Sequence, residues 1–137
     1  MLRRRVWPLF LVTILGTHAA CELDCVCTFE LVGISVRVVD EAGHPVEGLE
    51  SRVTVLRTGE RIPVDTVRWG GGYDGWYPVI SDRDSRYVNE GGEGLRFTAW
   101  DPRNRRRFVT GDFEIDFAGR CHCHVRKVSG PDSLVIR

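Results

Sequence analysis

Two Cys-x-Cys pairs near opposite ends of the chain constrain the fold of this 137-residue sequence more than any other feature. Cys25 and Cys27 lie near the start, and Cys121 and Cys123 lie near the end. In a β-strand, residues two positions apart point to the same face, so each pair presents two sulfur atoms on one side. Four cysteines allow three connectivities. Because a ring closed within one Cys-x-Cys pair would be strained, we predict two bridges between the ends of the chain.

Such a bridge closes a loop of about 95 residues, for which the chain-entropy model gives roughly 4 kcal/mol of stabilisation or slightly more. The second bridge adds much less, because its loop is already closed. The alternative use of the same sulfur atoms is a zinc or copper site, with or without His122 and His124. In a strand, alternation places those two imidazoles on the face opposite the sulfur atoms. We therefore expect disulfides and no cofactor, with a metal site at the cysteines or at the two histidines as the alternative.

Residues 1–20 are typical of a removable signal peptide. Arginines at positions 3–5 form a positive start, residues 6–16 are an apolar stretch, and Ala19-Ala20 is a small-residue cleavage zone. The apolar stretch has about 11 residues, whereas a membrane-spanning helix needs about 20. The sequence thus predicts export without a permanent transmembrane helix.

Residues 17–21, Thr-His-Ala-Ala-Cys, resemble the lipobox of bacterial lipoproteins, in which the cysteine is the first mature residue and receives the lipid. His18 stands where that family usually has Leu. Lipidation of Cys21 would account for the odd fifth cysteine. The resemblance implies a cell-envelope lipoprotein held on a membrane by residues 21–24, a short tether, and facing the periplasm or the cell surface. The alternative is ordinary signal-peptidase cleavage, which leaves Cys21 free or crosslinked.

Removal of the signal peptide makes the protein acidic. Three of the 19 basic residues and none of the 19 acidic residues lie within residues 1–20, so the mature chain has a net charge of −3 with neutral histidines. Nucleic-acid binding needs a strongly basic face. We therefore expect no nucleic-acid partner.

Short runs with period-two alternation dominate residues 25–137, which we predict to be one domain. The clearest run is Phe113, Ile115 and Phe117, which alternate with acidic residues. Similar runs are residues 34–38, 53–55, 77–79, 95–99, 121–125 and 134–136. Turns rich in Gly, Pro, Asn and Asp separate them. This spacing predicts an all-β antiparallel sandwich of about seven strands with little or no helix, and either a long loop or an edge hairpin at residues 59–74.

Residues 34–50 read ISVRVVDEAGHPVEGLE, a V-x-V strand followed by Asp40, a Gly-x-Pro turn at 43–45, and Gly48. This pattern resembles the opening of carboxypeptidase regulatory-like domains, which are small transthyretin-like, immunoglobulin-like β-sandwiches. Residues 74–77, Asp-Gly-Trp-Tyr, are similar to the step into a central strand of that family. The resemblance implies a non-catalytic accessory or adhesion-like module and brings no catalytic residues. A transthyretin-like hydrolase ends in Tyr-Arg-Gly-Ser, whereas this chain ends in Leu-Val-Ile-Arg, so we do not expect an enzyme.

Three aromatic residues surround a Gly-rich turn and are our candidate ligand-binding residues: Trp69, Tyr73 and Trp76. Aromatic rings on a loop offer a large contact area for a protein or polysaccharide ligand. The alternative is that Trp76 or Tyr77 packs in the core, with residues 70–72 only a flexible turn.

Two charged segments have less specific interpretations. The arginine-rich turn at residues 103–107 would suit anionic lipid headgroups or surface polysaccharide, or would be solvated and paired with nearby carboxylates. Asp82-Arg83-Asp84 lacks the pattern of a calcium loop, and we expect local ion pairs with Arg83 and Arg86. Fingerprints of nucleotide-binding, serine-hydrolase and zinc-protease sites are absent from the sequence.

Overall fold

The computed structural model describes residues 25–63 and 72–137, and it confirms the all-β sandwich. The predicted signal peptide, the tether with Cys21, and Trp69 lie outside the described residues. The elements in chain order are β1 (Gly33–Val39), β2 (Glu50–Val55), β3 (Arg61–Ile62), the 3-10 helix η1 (Tyr73–Gly75), β4 (Trp76–Ser81), the 3-10 helix η2 (Asp82–Tyr87), β5 (Glu93–Trp100), β6 (Phe108–Ala118), β7 (His124–Ser129) and β8 (Ser133–Val135). In the described part of the chain, no helix is long and apolar enough to cross a membrane.

The strands form two sheets, one of three strands in the order β4-β1-β8 and one of five strands in the order β3-β2-β5-β6-β7. Every neighbouring pair is antiparallel except β1 with β8, which is parallel. The sheets are thus mostly antiparallel, as predicted, and the one parallel pair arises because the chain changes sheets after β7 and β8 then lies beside β1. The eighth strand beyond the predicted seven is the two-residue β3, which pairs with β2 at the sheet edge and agrees with the edge-hairpin alternative for the start of residues 59–74.

The hydrophobic core lies between the sheets and contains the inward-facing residues that alternation predicts. The rings of Tyr77 and Phe97 come from opposite sheets, with centroids 6.3 Å apart. Burying an aliphatic or aromatic side chain of this kind contributes about 1.5–3 kcal/mol. The other large core residues that are almost fully buried are Val36, Val38, Val53, Val55, Ile62, Val79, Ile80, Leu95, Ile115 and Ile136.

The turn after β1 has the hairpin-like geometry that residues 34–50 predict. The Asp40 carboxylate accepts hydrogen bonds from the backbone N–H groups of Ala42 and His44, at 2.9 and 2.8 Å. Gly43 has a φ of +83°, a conformation that glycine adopts without steric cost. A β-bridge between Val39 and Pro45 closes the turn.

The strand predicted at residues 121–125 begins later than expected. Residues 119–122 are a turn in which His122 has a φ of 50°, and β7 starts at His124. The alternating Cys and His residues at positions 121–123 therefore lie in a turn and the coil after it, and not in a pleated strand.

Candidate functional site

The four cysteines near the chain ends form two disulfides at one end of the sandwich. Cys25 pairs with Cys121 and Cys27 pairs with Cys123, with Cα–Cα distances of 5.3 and 5.5 Å. The connection between the chain ends is as predicted, but the cysteines lie in coil and turn and not in paired strands. The bridges therefore fasten residues 25–32, here called the N-terminal segment, to the turn between β6 and β7.

A carboxylate, an imidazole and a hydroxyl group lie in series beside these bridges. His124 Nδ1 lies 2.8 Å from Asp82 Oδ2, and His124 Nε2 lies 2.9 Å from Thr28 Oγ1. Asp82 also accepts hydrogen bonds from the backbone N–H groups of Val32, at 2.8 Å, and Val125, at 2.7 Å. The predicted ion pairs of Asp82 with neighbouring arginines are therefore wrong, because β7 of the other sheet and the N-terminal segment supply its partners.

The environment of Asp82 favours its charged form. Burial is the largest influence and raises the pKa of the Asp82 carboxyl, but the hydrogen bonds from His124, Val32 and Val125 outweigh it and lower the pKa below the usual value. A hydroxyl, an imidazole and a carboxylate in series, as in Thr28, His124 and Asp82, would let the imidazole take a proton from the hydroxyl. The two backbone N–H contacts to the same carboxylate instead point to a fastening role, since they hold the N-terminal segment and β7 against η2.

The two late histidines point to different partners. His122 stacks on Phe117, with ring centroids 5.0 Å apart, and its Nδ1 lies 3.5 Å from a carboxylate oxygen of Glu90. His124 is engaged by Asp82 and Thr28. Across residues 25–63 and 72–137, no group of three or more His, Cys, Asp or Glu side chains is arranged to hold a metal ion. All four sulfur atoms of the Cys-x-Cys pairs lie in disulfides, which leaves none of them as a thiolate ligand.

The predicted aromatic cluster is only partly within the described residues. Tyr73 lies in η1 with 80% of its surface exposed, and Trp76 starts the edge strand β4 with 44% exposed. Tyr77 is the ring that packs in the core, as one of the alternatives predicts. Tyr73 and Trp76 are thus on the surface of the three-stranded sheet.

A second aromatic surface, which the sequence patterns did not single out, lies on the outer face of the five-stranded sheet. A shallow cavity of about 330 Å³ is lined by Arg52, Thr54, Thr98, Trp100, Arg105 and Phe108, here called the outer-face groove. Strand register explains this set, because Trp100 of β5 lies opposite Phe108 of β6. The sequence feature that could have indicated this groove is the pair Trp100 and Phe108, aromatic residues at outward-facing positions of strands whose other outward residues are mostly polar.

The orientation of Trp100 is fixed by its neighbours. Its indole Nε1 donates a hydrogen bond to Glu50 Oε2 at 2.9 Å. The Arg52 guanidinium carbon lies over the ring, 5.5 Å from its centroid. Phe108 remains 55% exposed beside it. The indole of the groove is therefore pre-oriented, with a cation over its ring and the exposed Phe108 beside it.

In the arginine-rich turn, some guanidinium groups have a carboxylate partner among the described residues and others do not. Arg107 lies 3.6 Å from the Asp101 carboxylate, which agrees with the solvated, ion-paired alternative. The backbone N–H of Arg103 donates to the same carboxylate at 2.9 Å and shapes the turn. Arg105 faces the outer-face groove. Within the described ranges, neither Arg105 nor Arg52 has a carboxylate partner within 4.0 Å.

No family model, curated protein or solved structure matches this chain. Its class is defined by the fold and the bridges: it is a two-sheet all-β sandwich closed by two disulfides. Such bridges form and persist in oxidising environments, so the domain belongs to the proteins that fold outside the reducing cytosol.

Proposed function

We propose that this protein is a lipid-anchored, non-catalytic binding module of the cell envelope, related to the carboxypeptidase regulatory-like sandwiches. The observation that carries the proposal is the pair of disulfides at one end of the sandwich. They fix the chain four residues after Cys21, the proposed site of lipidation. A domain fastened at that end has its opposite end available for a partner.

The length of the tether supports a close approach to the membrane. Three residues separate Cys21 from Cys25, and an extended chain reaches at most about 3.6 Å per residue. The disulfide end would therefore lie within about 15 Å of the lipid-bearing residue.

Exposed apolar side chains at this end agree with membrane contact. In the N-terminal segment, Val26 is 85% exposed and Phe29 is fully exposed. Exposing such side chains to water forgoes the stabilisation that burial gives them. Beside a lipid anchor, the same side chains would enter the interfacial region and strengthen attachment.

The outer-face groove lies at the other end of the sandwich. Phe108 is the first residue of β6, and Ala118 is the last residue of that strand, three positions before Cys121. An 11-residue strand extends over about 30 Å. A module attached through Cys21 would present the groove away from the membrane, toward a protein or polysaccharide. The surface at Tyr73 and Trp76 is a second candidate for partner binding.

The test is the location and mass of the full chain expressed in a bacterium that processes lipoproteins. We expect the wild type in the membrane fraction, with a mature N-terminus at Cys21 whose mass includes fatty-acyl chains. The Cys21→Ser variant should move to the soluble fraction. The matched control is the double variant Cys27→Ser/Cys123→Ser, which also loses cysteines but should stay on the membrane.

A soluble wild-type protein with an unmodified Cys21 would contradict the lipid anchor. Thiol counting and metal analysis of the same sample test the rest of the proposal. Four oxidised sulfur atoms without metal would support a structural role for the cysteines. Free thiols with stoichiometric zinc or copper would favour a metal-binding envelope protein instead.

A further inference from the structure

The floor of the outer-face groove consists of two aromatic rings from neighbouring strands. Trp100 and Phe108 are directly opposite each other in the β5–β6 ladder, where side chains on one face are about 5 Å apart. Trp100 is held by Glu50 and Arg52, so a ligand would find the indole already oriented. The exposed ring of Phe108 beside the indole matches the C–H face of a sugar ring.

Hydroxyl groups lie on the same face beyond the aromatic floor. Thr98 precedes Trp100 by two positions on β5, and Thr54 lies on β2, the neighbouring strand. Both line the groove. A threonine hydroxyl both donates and accepts hydrogen bonds, as does a sugar hydroxyl. The groove therefore combines stacking with groups that match a polyhydroxylated ligand.

Two guanidinium groups give the groove a positive charge. Arg52 and Arg105 line it and have no carboxylate partner within 4.0 Å among the described residues. By contrast, Arg96, on the same sheet face, is held by both oxygens of Asp112 at 2.7 and 2.8 Å. The carboxylate of Glu50 is engaged by the indole. A guanidinium matches a carboxylate in geometry and charge, so the complementary ligand is acidic.

The position of the groove on a sheet face argues against an extended peptide. Peptides that add to a sheet bind the free backbone groups of an edge strand. Here β5 and β6, which carry the aromatic rings, each have a neighbouring strand on both sides, so their backbone groups are engaged in the ladders. Recognition in this groove must come from side chains.

We propose that the outer-face groove binds an acidic oligosaccharide, a chain of sugar rings that carry carboxylate groups. The inference rests on the proposed function, because it names the ligand class of the same module. Phe108, with the exposed part of Trp100, stacks on a sugar ring, Arg52 and Arg105 bind carboxylates, and the threonines bind hydroxyl groups. Anionic lipid headgroups are disfavoured because the groove lies about 30 Å from the end where the tether begins.

The test uses isothermal titration calorimetry on the mature, disulfide-bonded protein, with oligogalacturonate as the probe. We expect binding that weakens as salt is added, because exposed charges are screened. The methyl-esterified oligomer of the same length keeps the rings but loses the charge, and should bind at least about tenfold more weakly. Oligoglutamate of the same charge and vesicles of anionic phospholipid should bind more weakly than oligogalacturonate.

Matched variants separate the groove from its surroundings. Arg52→Gln and Arg105→Gln should each weaken oligogalacturonate binding about tenfold. Trp100→Ala should weaken it by a similar or larger factor, with circular dichroism showing that the fold is retained. Arg106→Gln, on the same turn but outside the groove, should leave affinity within about twofold.

If Trp100→Ala fails to fold, the two arginine variants and the methyl ester decide the outcome. Equal binding of oligogalacturonate by wild type and both arginine variants would overturn the inference, as would tighter binding of oligoglutamate or of vesicles. No binding of oligogalacturonate would also overturn it. None of these results affects the lipid anchor, which the mass of the N-terminus tests separately.

Discussion

His124 Nδ1 lies 2.8 Å from a carboxylate oxygen of Asp82, and this contact joins the two sheets outside the hydrophobic core. Asp82 directly follows β4 of the three-stranded sheet, whereas His124 begins β7 of the five-stranded sheet. The same carboxylate binds the backbone N–H of Val32, in the N-terminal segment. One side chain thus fastens three parts of the chain at the end where the disulfides lie.

Replacement of Asp82 by Asn should lower the free energy of unfolding by about 2–3 kcal/mol, because hydrogen bonds to a charged group are lost and an amide cannot accept all three. Urea unfolding at neutral pH measures the change. Asp112→Asn is the matched control, since that carboxylate is 52% exposed in its ion pair with Arg96 and should cost at most about 1 kcal/mol. Equal losses in the two variants would contradict the fastening role.

The stability contribution of Asp82 should depend on pH in a defined direction. Its pKa is lowered in the folded protein, so the charged carboxyl stabilises the fold above its unfolded pKa of about 3.9. That contribution is lost as the pH falls through the folded-state pKa. Urea unfolding between pH 6 and pH 2 should therefore show the difference between wild type and Asp82→Asn shrinking below about pH 4. A constant difference over this range would count against the assignment.

Removal of the two disulfides should have strongly non-additive effects. The bridges span the same 96-residue separation, so either one alone closes the long loop. Cys25→Ser/Cys121→Ser and Cys27→Ser/Cys123→Ser should each cost about 1 kcal/mol, whereas loss of both bridges should cost about 4–5 kcal/mol. Chemical denaturation of the three variants and the wild type measures this. Additive losses would show that the bridges do not share one loop-closure effect.

Substitution of Gly75 by Ala should be more damaging than the same change at another glycine with positive φ. Gly75 has a φ of +76°, and an added Cβ would lie 2.6 Å from the carbonyl oxygen of Val38. Gly43 has a φ of +83° but nothing within 4 Å of the added atom. We expect Gly43→Ala to cost about 1 kcal/mol and Gly75→Ala about 3 kcal/mol or more, measured by thermal unfolding. Similar losses would mean that the turn adapts to the side chain.

Tyr77 provides a hydrogen-bonding test inside the core. Its hydroxyl donates to the carbonyl of Val46 at 2.9 Å and accepts from the N–H of Leu49 at 3.1 Å, with the side chain almost fully buried. Tyr77→Phe keeps the ring but leaves both backbone groups without this partner, and should cost about 1–3 kcal/mol. Tyr87→Phe, at a half-buried ring, should change stability by less than about 0.5 kcal/mol. Denaturant unfolding of both variants compares them, and equal losses would contradict the proposed role of the Tyr77 hydroxyl.

Sequence reasoning identified the strand faces well. Phe113 and Ile115 are buried as their alternation predicts, Phe117 is half-buried, and the acidic residues that alternate with them are exposed or half-buried. The exception is Glu93, which is in phase with Leu95 and Phe97 and is only 4% exposed. Its carboxylate is bound by Arg57 at 3.0 Å and Asn89 at 2.8 Å. Alternation predicts which way a side chain points, but it does not predict which polar groups of other segments will bind that side chain.

The candidate sites were harder to predict. Tyr73 and Trp76 are exposed on one sheet, whereas the outer-face groove lies on the other sheet around Trp100. Trp100 and Phe108 were not singled out because they are eight positions apart in the sequence. They become neighbours only through the register of β5 and β6.

The sequence by itself determined the all-β class and the inward faces of most strands, because side-chain direction in a strand repeats every two residues and is a local property of the pleat. It also determined that the chain ends would be joined, since a ring within one Cys-x-Cys pair is strained. Tertiary structure alone decided that Cys25 pairs with Cys121, that Asp82 meets His124, and that Arg52 lies over Trp100. These contacts join residues 96, 42 and 48 positions apart. Residues so far apart in the sequence come into contact only through the order in which the strands pair in the two sheets.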